Sequence, residues 1–220
     1  DLDSSPPRIE EQYLSFTTTE FTEPTIDVSN DGSELYFNVL GEIFKAPISG
    51  GTAMLVPLGE GWKERPMLSP DGQAIAFLSD RDGEVAVWRQ SLAPGGIPVG
   101  EAQQDRDVTT AAWVANDIVV SSGIATTRNR PYSLKAEHGE GSELASTHSQ
   151  HQSQTSSSMS ADNYGNLYLT RRGSSISKIS RATGLESVVV DMRDGLSQPR
   201  VSRDGTLLGY VVLENDQARL

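Results

Sequence analysis

Histidine is the first residue type to consider for chemistry, because imidazole can bind metals and transfer protons near neutral pH. The chain contains three histidines, His138, His148 and His151. The last two stand three residues apart in the Ser- and Gln-rich stretch 146–160. They lack the further ligands and the secondary structure that would fix a zinc ion. We therefore interpret His148 and His151 as solvated loop residues and predict no metal site in this chain.

An acidic run, Asp80-Arg81-Asp82-Gly83-Glu84, superficially resembles a calcium-binding loop. Such a loop needs alternating oxygen ligands and a distal glutamate that binds through both oxygens. That glutamate is absent here, so the run is better explained as the turn of a β-hairpin.

Nucleophilic and phosphate-binding motifs are also absent from the sequence. There is no cysteine, which excludes disulfides, thiolate metal sites and cysteine nucleophiles. No G-x-S-x-G elbow, phosphate-binding P-loop or dinucleotide fingerprint occurs. We predict no catalytic, cofactor-binding or metal-binding residue, and no cofactor, within this chain.

Aspartates recur along the chain at a nearly constant spacing, mostly in short Asp-Gly turns. They are Asp31, Asp71, Asp117, Asp162 and Asp204, separated by 40, 46, 45 and 42 residues by subtraction of their positions. This period is typical of one blade of a β-propeller, which has four short strands and their turns. A residue repeated in every blade indicates a structural turn rather than a site.

The residues around these turns favour β-structure. In SPDG, Pro70 presets φ at the first central position, Asp71 can cap the turn, and Gly72 accepts positive φ. Short runs rich in Val, Ile, Leu, Tyr and Phe follow the turns and end at Gly, Pro, Asp or Asn. Several, such as 74–78, are apolar on both faces, as expected for strands between neighbouring blades. Trp62, Trp88 and Trp113 fall near blade junctions, where packing is expected rather than sugar stacking.

The sequence thus predicts an all-β fold, a β-propeller of four-stranded antiparallel blades that is incomplete, with about four and a half blades. Residues 1–20 form a segment leading into the first blade. The predicted blade limits are 21–61, 62–106, 107–153 and 154–196, with a partial blade at 197–220. Because an interrupted blade leaves an unpaired strand edge, we expect a longer polypeptide.

Net charge narrows the classes of partner. The formal charge is −12, from 18 basic and 30 acidic residues. Nucleic acids and anionic membrane surfaces attract basic proteins, so neither is predicted as a partner. No apolar run approaches the ~18 residues that a membrane-spanning helix requires.

The first two repeats resemble the TolB-type propeller. The resemblance is close over 24–90, weak over 107–153, and returns at 198–212. It is similar in particular to the propeller that precedes the catalytic domain in secreted amidohydrolase-like proteins. The matching residues of the first repeat are Ser29, Asp31, Gly32, Phe37, Leu40, Gly41, Ile43, Pro47, Ile48, Gly50 and Gly51. Glu42 replaces an aspartate of that pattern. Those of the second repeat are Pro66, Ser69, Pro70, Asp71, Gly72, Ile75, Phe77, Ser79, Asp80, Arg81, Gly83 and Trp88.

The resemblance implies a non-catalytic propeller that docks on, or gates, a downstream metal-dependent hydrolase domain in the periplasm or outside the cell. A zinc-like metal would belong to that domain, whose histidine ligands are not in this chain. Two alternatives stay open. One is a TolB-like protein–protein interaction propeller of the cell envelope, and the other is the gating propeller of a prolyl-oligopeptidase-type serine peptidase. The expected partner is the catalytic domain or another protein, and a homo-oligomer is compatible with the sequence.

Overall fold

The computed structural model describes residues 26–96, 99–100, 108–115, 117–122, 132–135, 141–143, 158–171, 173–192, 195–214 and 217–219. These residues form nineteen β-strands and no helix. Among them, therefore, no helix is long and apolar enough to cross a membrane.

The strands form five antiparallel sheets that follow one another along the chain. Within each sheet, strands adjacent in sequence are hydrogen-bonded neighbours. Sheet 1 contains β1 (Ile26–Val28), β2 (Glu34–Val39), β3 (Glu42–Pro47) and β4 (Met54–Leu55). Sheet 2 contains β5 (Lys63–Leu68), β6 (Ala74–Ser79), β7 (Ala86–Ser91) and β8 (Val99–Gly100). Sheet 3 contains β9 (Val108–Val114), β10 (Asp117–Ser122), β11 (Tyr132–Lys135) and β12 (Gly141–Glu143).

Sheet 4 contains β13 (Met159–Ala161), β14 (Leu167–Arg171), β15 (Ser175–Ile179) and β16 (Glu186–Asp191). Sheet 5 has three strands among the described residues, β17 (Leu196–Val201), β18 (Leu208–Glu214) and β19 (Gln217–Arg219). Four four-stranded sheets and a shorter fifth confirm the predicted all-β, incomplete propeller.

The core consists of apolar layers between successive sheets. Strand β6 shows the principle, because alternate side chains of a strand point to opposite faces. Ile75 and Phe77 pack toward sheet 1, whereas Ala76 and Leu78 pack toward sheet 3. All four are fully buried, which confirms that this strand is sandwiched between neighbouring blades.

The described residues on the outer faces of sheets 1 and 5 are less deeply buried. Phe37 and Phe44 stack with their ring centroids 6.2 Å apart, on the face of sheet 1 opposite the layer shared with sheet 2. Both side chains are only half-buried, and Leu213 of sheet 5 is exposed. We call the junction between sheets 1 and 5 the seam.

Candidate functional site

The turns between the first two strands of sheets 1, 2 and 5 share one hydrogen-bond pattern. In sheet 2 the Ser69 hydroxyl donates to Asp71 Oδ1 at 2.6 Å, and the same oxygen accepts from the Gln73 N–H at 3.0 Å. Ser69 Oγ in turn accepts from the Ala74 N–H at 2.9 Å. Equivalent bonds join Ser29 to Asp31 and Ser202 to Asp204. The repeated unit is therefore Ser-x-Asp-Gly, in which serine is as necessary as aspartate.

These bonds keep the turn aspartates ionised. Hydrogen bonds from Ser29 and then Ser33 lower the pKa of Asp31 to about 2, because they stabilise the charged carboxylate. The pKa values of Asp71 and Asp204 are lowered for the same reason, chiefly by their serine partners. All three side chains are exposed, so the turns place a set of permanent negative charges on one face of the protein.

The predicted aspartate series differs from the structure in the two middle sheets. Asp162 takes the place that serine has in the other turns, and its Oδ1 accepts from the N–H groups of Tyr164 and Asn166 at 3.0 and 2.9 Å. One buried carboxylate there replaces the Ser–Asp pair. Asp117 is the first residue of β10 rather than a turn residue, and Ala115 precedes it with φ at 56°.

Hydrogen bonds between neighbouring turns connect the sheets. Asn30 Nδ2 donates to the Pro70 carbonyl at 2.5 Å, which joins sheets 1 and 2. The Asn163 N–H donates to the Arg203 carbonyl at 2.8 Å, which joins sheets 4 and 5. Arg203 Nη2 donates to the Val28 carbonyl at 2.7 Å and so bridges the seam. The residue before Asp-Gly, variable in the sequence, therefore makes the contacts between sheets.

A central channel lies inside this arrangement. Its cavity, about 390 Å³, is lined by residues from β1, β5, β9, β13 and β17, the first strand of every sheet. The first strands are therefore innermost, as expected for blades around a propeller axis.

Five ionisable residues line this cavity, three arginines and two aspartates, which are Asp27, Arg65, Asp162, Arg200 and Arg203. Among the described residues the channel wall thus carries one net positive charge when all five are ionised. This is opposite in sign to the −12 of the whole chain.

Asp27 accepts backbone hydrogen bonds inside the channel. Its Oδ2 accepts from the Leu68 N–H of sheet 2 at 2.6 Å, and its Oδ1 accepts from its neighbour Val28 at 2.9 Å. Burial raises the pKa of this carboxyl. The backbone bonds, and then the charges of Arg203 and Arg200, act in the opposite direction but do not outweigh burial.

Ser160 occupies in sheet 4 the position that Asp27 has in sheet 1. Its hydroxyl accepts from the Val201 N–H of sheet 5 at 2.8 Å, the same bond from one innermost strand to the next. A neutral hydroxyl makes this bond in sheet 4, so the bond does not require a negative charge. The charge that Asp27 can carry in sheet 1, beside the seam, is therefore an additional feature.

Bulges in β5 and β17 shape two walls of the channel. Arg65 and Gln198 have positive φ, 54° and 49°, and each precedes a proline at a break in the strand register. The neutral Gln198 adopts the same backbone, so the strain belongs to the bulge and not to the charge of Arg65. Pro66 and Pro199 follow them in the sequence, so the repeated X-Pro pair indicates both bulges.

Comparison with known proteins bears on the fold. No family model and no curated protein matches the sequence. A solved TolB structure from Acinetobacter baumannii superposes with a TM-score of 0.71 at 17% identity, covering 88% of this chain and 49% of that one. A structure assigned as TolB from Agrobacterium tumefaciens gives a TM-score of 0.67 at 16% identity, covering 89% and 79%. The chain has the fold of a TolB-like β-propeller.

A third solved structure places the same fold inside a longer chain. The puromycin-hydrolysing peptidase of Mycobacterium tuberculosis superposes with a TM-score of 0.60 at 13% identity. The match covers 89% of this TolB-like propeller but only 37% of the peptidase chain.

The acidic run of the second blade, residues 80–84, is hydrogen-bonded to the segment that connects sheet 1 to sheet 2. Arg81 Nη2 donates to the carbonyls of Leu58 and, at 3.0 Å, Glu60. Asp80 Oδ1 accepts from the Trp62 N–H at 2.9 Å, and the Gly83 N–H closes a turn onto the Asp80 carbonyl at 2.7 Å. The structure therefore places this run in the β6–β7 hairpin turn.

Other residues considered from the sequence lie elsewhere in the propeller. Trp62 is 53% exposed, yet its ring lies over Gly41, so it covers a blade junction without being a core residue. Trp113 Nε1 donates to the Met67 carbonyl at 3.0 Å, which links sheets 2 and 3. His138, His148 and His151 lie outside the described residues, and within those residues no group of three potential metal ligands occurs.

Sequence reasoning missed Asp27, Arg200 and Arg203. A signal was available, because Asp27 and Arg200 each stand two residues before the serine of Ser-x-Asp-Gly, where the second copy has Met67. Aligning the copies on serine would have exposed a charged position in the innermost strand.

Proposed function

We propose that this TolB-like propeller is the non-catalytic part of a larger amidohydrolase-like, metal-dependent hydrolase of the periplasm or the extracellular space. In this proposal it docks on the catalytic domain or gates access to it. The observation that carries the proposal is the two-repeat pattern of residues 24–90, which resembles the propellers linked to such domains. The catalytic metal, zinc-like in chemistry, would be held by the other domain.

The pattern residues have identifiable roles where the first two sheets meet. Gly41 must lack a side chain, since a Cβ there would lie 2.4 Å from the Trp62 ring. Arg81 also lies over the Trp88 ring, with 4.4 Å between its Cζ and the ring centroid. The matched residues thus specify one particular junction between blades, which is more restrictive than a shared Asp-Gly turn. A rigid scaffold of this kind is suited to presenting loops to a partner domain.

The test is the gene-encoded polypeptide itself. We expect it to be longer than 220 residues, to retain a divalent metal after gel filtration, and to hydrolyse an amide substrate in a chelator-sensitive manner. Removal of the metal with restoration by zinc would support the proposal. Hydrolysis blocked by a serine-directed fluorophosphonate and indifferent to chelators would overturn it in favour of a prolyl-oligopeptidase-type enzyme.

Exposed side chains on the turn face favour a second candidate, a protein–protein interaction propeller of the cell envelope. Tyr164 and Leu207 are 72% and 71% exposed beside the inter-strand turns of sheets 4 and 5. Tyrosine is among the residue types that most often dominate the binding energy of a protein interface. This candidate predicts a polypeptide that ends soon after the propeller and retains no metal.

A further inference from the structure

Leu40 combines two features that are each unfavourable for a protein without a partner. It occupies the first central position of the turn between β2 and β3 with φ at 52°, and Gly41 follows with φ at 79°. A turn with two positive φ values favours asparagine, aspartate or glycine at its first position, and a bulky side chain is strained there. Leu40 is also 64% exposed. The turn thus explains the backbone conformation at this position but not the choice of leucine.

The Trp62 ring lies beside this turn. It packs over Gly41, the neighbour of Leu40, and the Lys63 N–H donates to the Gly41 carbonyl at 2.8 Å, which holds the connecting segment against the turn. Trp62 is nevertheless 53% exposed. Tryptophan is enriched among the residues that contribute most to binding at protein interfaces. Two large apolar residues, Leu40 and Trp62, are therefore exposed side by side at the junction of sheets 1 and 2.

Acidic side chains accompany the two apolar residues. Asp80 Oδ1 accepts from the Trp62 N–H at 2.9 Å, and Asp82 belongs to the same hairpin turn as Asp80. Glu60 lies in the segment that leads to Trp62, and its carbonyl accepts from Arg81 at 3.0 Å. Asp80, Asp82 and Glu60 are all exposed. Trp62 is thus flanked by carboxylates from two segments of the chain.

Two basic residues of this junction are engaged within it. Lys63 is fully buried, and its Nζ donates to both carboxylate oxygens of Glu42 at 3.0 Å. Arg81 Nη2 donates to the Leu58 carbonyl, and its guanidinium group lies over the Trp88 ring. Because these cations are held inside the junction, the carboxylates dominate its exposed surface.

We propose that this junction docks a segment of a partner protein that carries both apolar and basic side chains. The apolar side chains contact Leu40 and Trp62, and the lysine or arginine side chains pair with Glu60, Asp80 and Asp82. A cation can also lie over the open part of the indole ring. Backbone strain retained at an exposed residue is a feature of functional surfaces, and here it places a leucine beside the tryptophan. The inference does not depend on whether a catalytic domain is joined to the propeller.

The probe is a fluorescein-labelled peptide of alternating lysine and leucine, KLKLKLK, whose fluorescence anisotropy measures binding to the protein. We expect saturable binding with one site per chain. Leu40→Asn should weaken it about fivefold or more, the scale expected when apolar contact is lost. The same substitution should leave the midpoint of thermal unfolding unchanged or raise it, because asparagine tolerates positive φ. Misfolding cannot produce weaker binding together with retained stability.

Matched variants separate this surface from the rest of the protein. Leu185 is 58% exposed and precedes β16 in sheet 4, so Leu185→Asn repeats the substitution elsewhere and should leave the affinity unchanged within about twofold. Asp82→Asn should weaken binding about twofold or more, the scale of a surface ion pair. Asp191→Asn, at an exposed residue of β16, should not.

Several results would overturn the proposal. They are absence of saturable binding, equal effects of Leu40→Asn and Leu185→Asn, equal effects of Asp82→Asn and Asp191→Asn, and a lower thermal midpoint for Leu40→Asn. The peptide KSKSKSK keeps every lysine, and if it binds as tightly as KLKLKLK, charge alone accounts for binding and the apolar contact is disproved. The peptide ELELELE should not bind, and saturable binding of it would disprove the assignment to a basic partner.

Discussion

Arg203 Nη2 lies 2.7 Å from the carbonyl oxygen of Val28, a residue 175 positions earlier in the chain. This hydrogen bond joins the last sheet to the first at the inner end of the seam. The outer parts of the same two sheets leave Phe37, Phe44 and Leu213 half-buried or exposed. Among the described residues, the seam is therefore held at the channel by this bond, and its outer part is less buried.

Loss of the Arg203 side chain should loosen this seam. Arg203→Met keeps much of the apolar stem but removes the charged donor, so we expect the free energy of unfolding to fall by about 1–3 kcal/mol. Hydrogen exchange should accelerate in β1 and β17 more than in β6. Arg219→Gln is the matched control, since it removes one positive charge at an exposed residue of β19. Equal exchange rates in all strands of Arg203→Met would contradict a local role for the bond.

The Ser-x-Asp-Gly turn can be tested through its serine. Ser69→Ala deletes the donor to Asp71 and the acceptor for the Ala74 N–H, and Ser69 is buried. We expect a loss of about 1–3 kcal/mol, because the half-buried Ala74 N–H is left without its acceptor. Ser49→Ala, in the exposed β3–β4 turn, should change stability by less than about 0.5 kcal/mol. Chemical denaturation of both variants measures the difference.

Much of this fold follows from local chemistry that a sequence displays. The Asp-Gly turns and the two-sided apolar strand 74–78 are specified by neighbouring residues, so they predict blades. Asp162 and Asp117 were misplaced because aspartate is compatible with several turn positions, and only the bond partners distinguish them. The channel depends on residues of five separate strands, and nothing local in the sequence brings Asp27 to Arg200.

Gly41 tests the close approach between the first two blades. An added Cβ would lie 2.4 Å from the Trp62 ring, and φ is +79°. Gly50 has a similar φ of +90° but nothing within 4 Å of such a Cβ. Gly50→Ala therefore measures the cost of the backbone conformation without a steric clash. We expect Gly50→Ala to cost about 1–2 kcal/mol and Gly41→Ala clearly more. Thermal unfolding of the two variants measures both losses of stability. The additional loss in Gly41→Ala should shrink when Trp62 is replaced by Leu in the same chain. An excess that persists without the indole ring would show that Trp62 is not its cause.

Asp27 should make stability depend on pH in an unusual direction for a carboxyl group. Because burial raises its pKa above the ordinary 3.8, the folded state binds the proton more tightly than the unfolded chain does. The resulting stabilisation is complete below about pH 3.8 and is lost as pH rises through the raised folded pKa. Asp27→Asn cannot take up this proton. The unfolding free energy of the wild type relative to Asp27→Asn should therefore increase as pH falls from about 7 toward about 4.

Asp31 should give stability a pH dependence opposite in sign to that of Asp27. Its folded pKa of about 2 is below the ordinary value of 3.8, so its stabilisation is present above about pH 3.8 and is lost as pH falls toward about 2. Relative to Asp31→Asn, the wild type should lose stability over that interval. Equilibrium unfolding in urea at a series of pH values measures both differences. If the wild type and Asp27→Asn keep a constant difference between pH 7 and pH 4, burial does not govern this carboxyl, and Arg200 and Arg203 hold it ionised in the folded state.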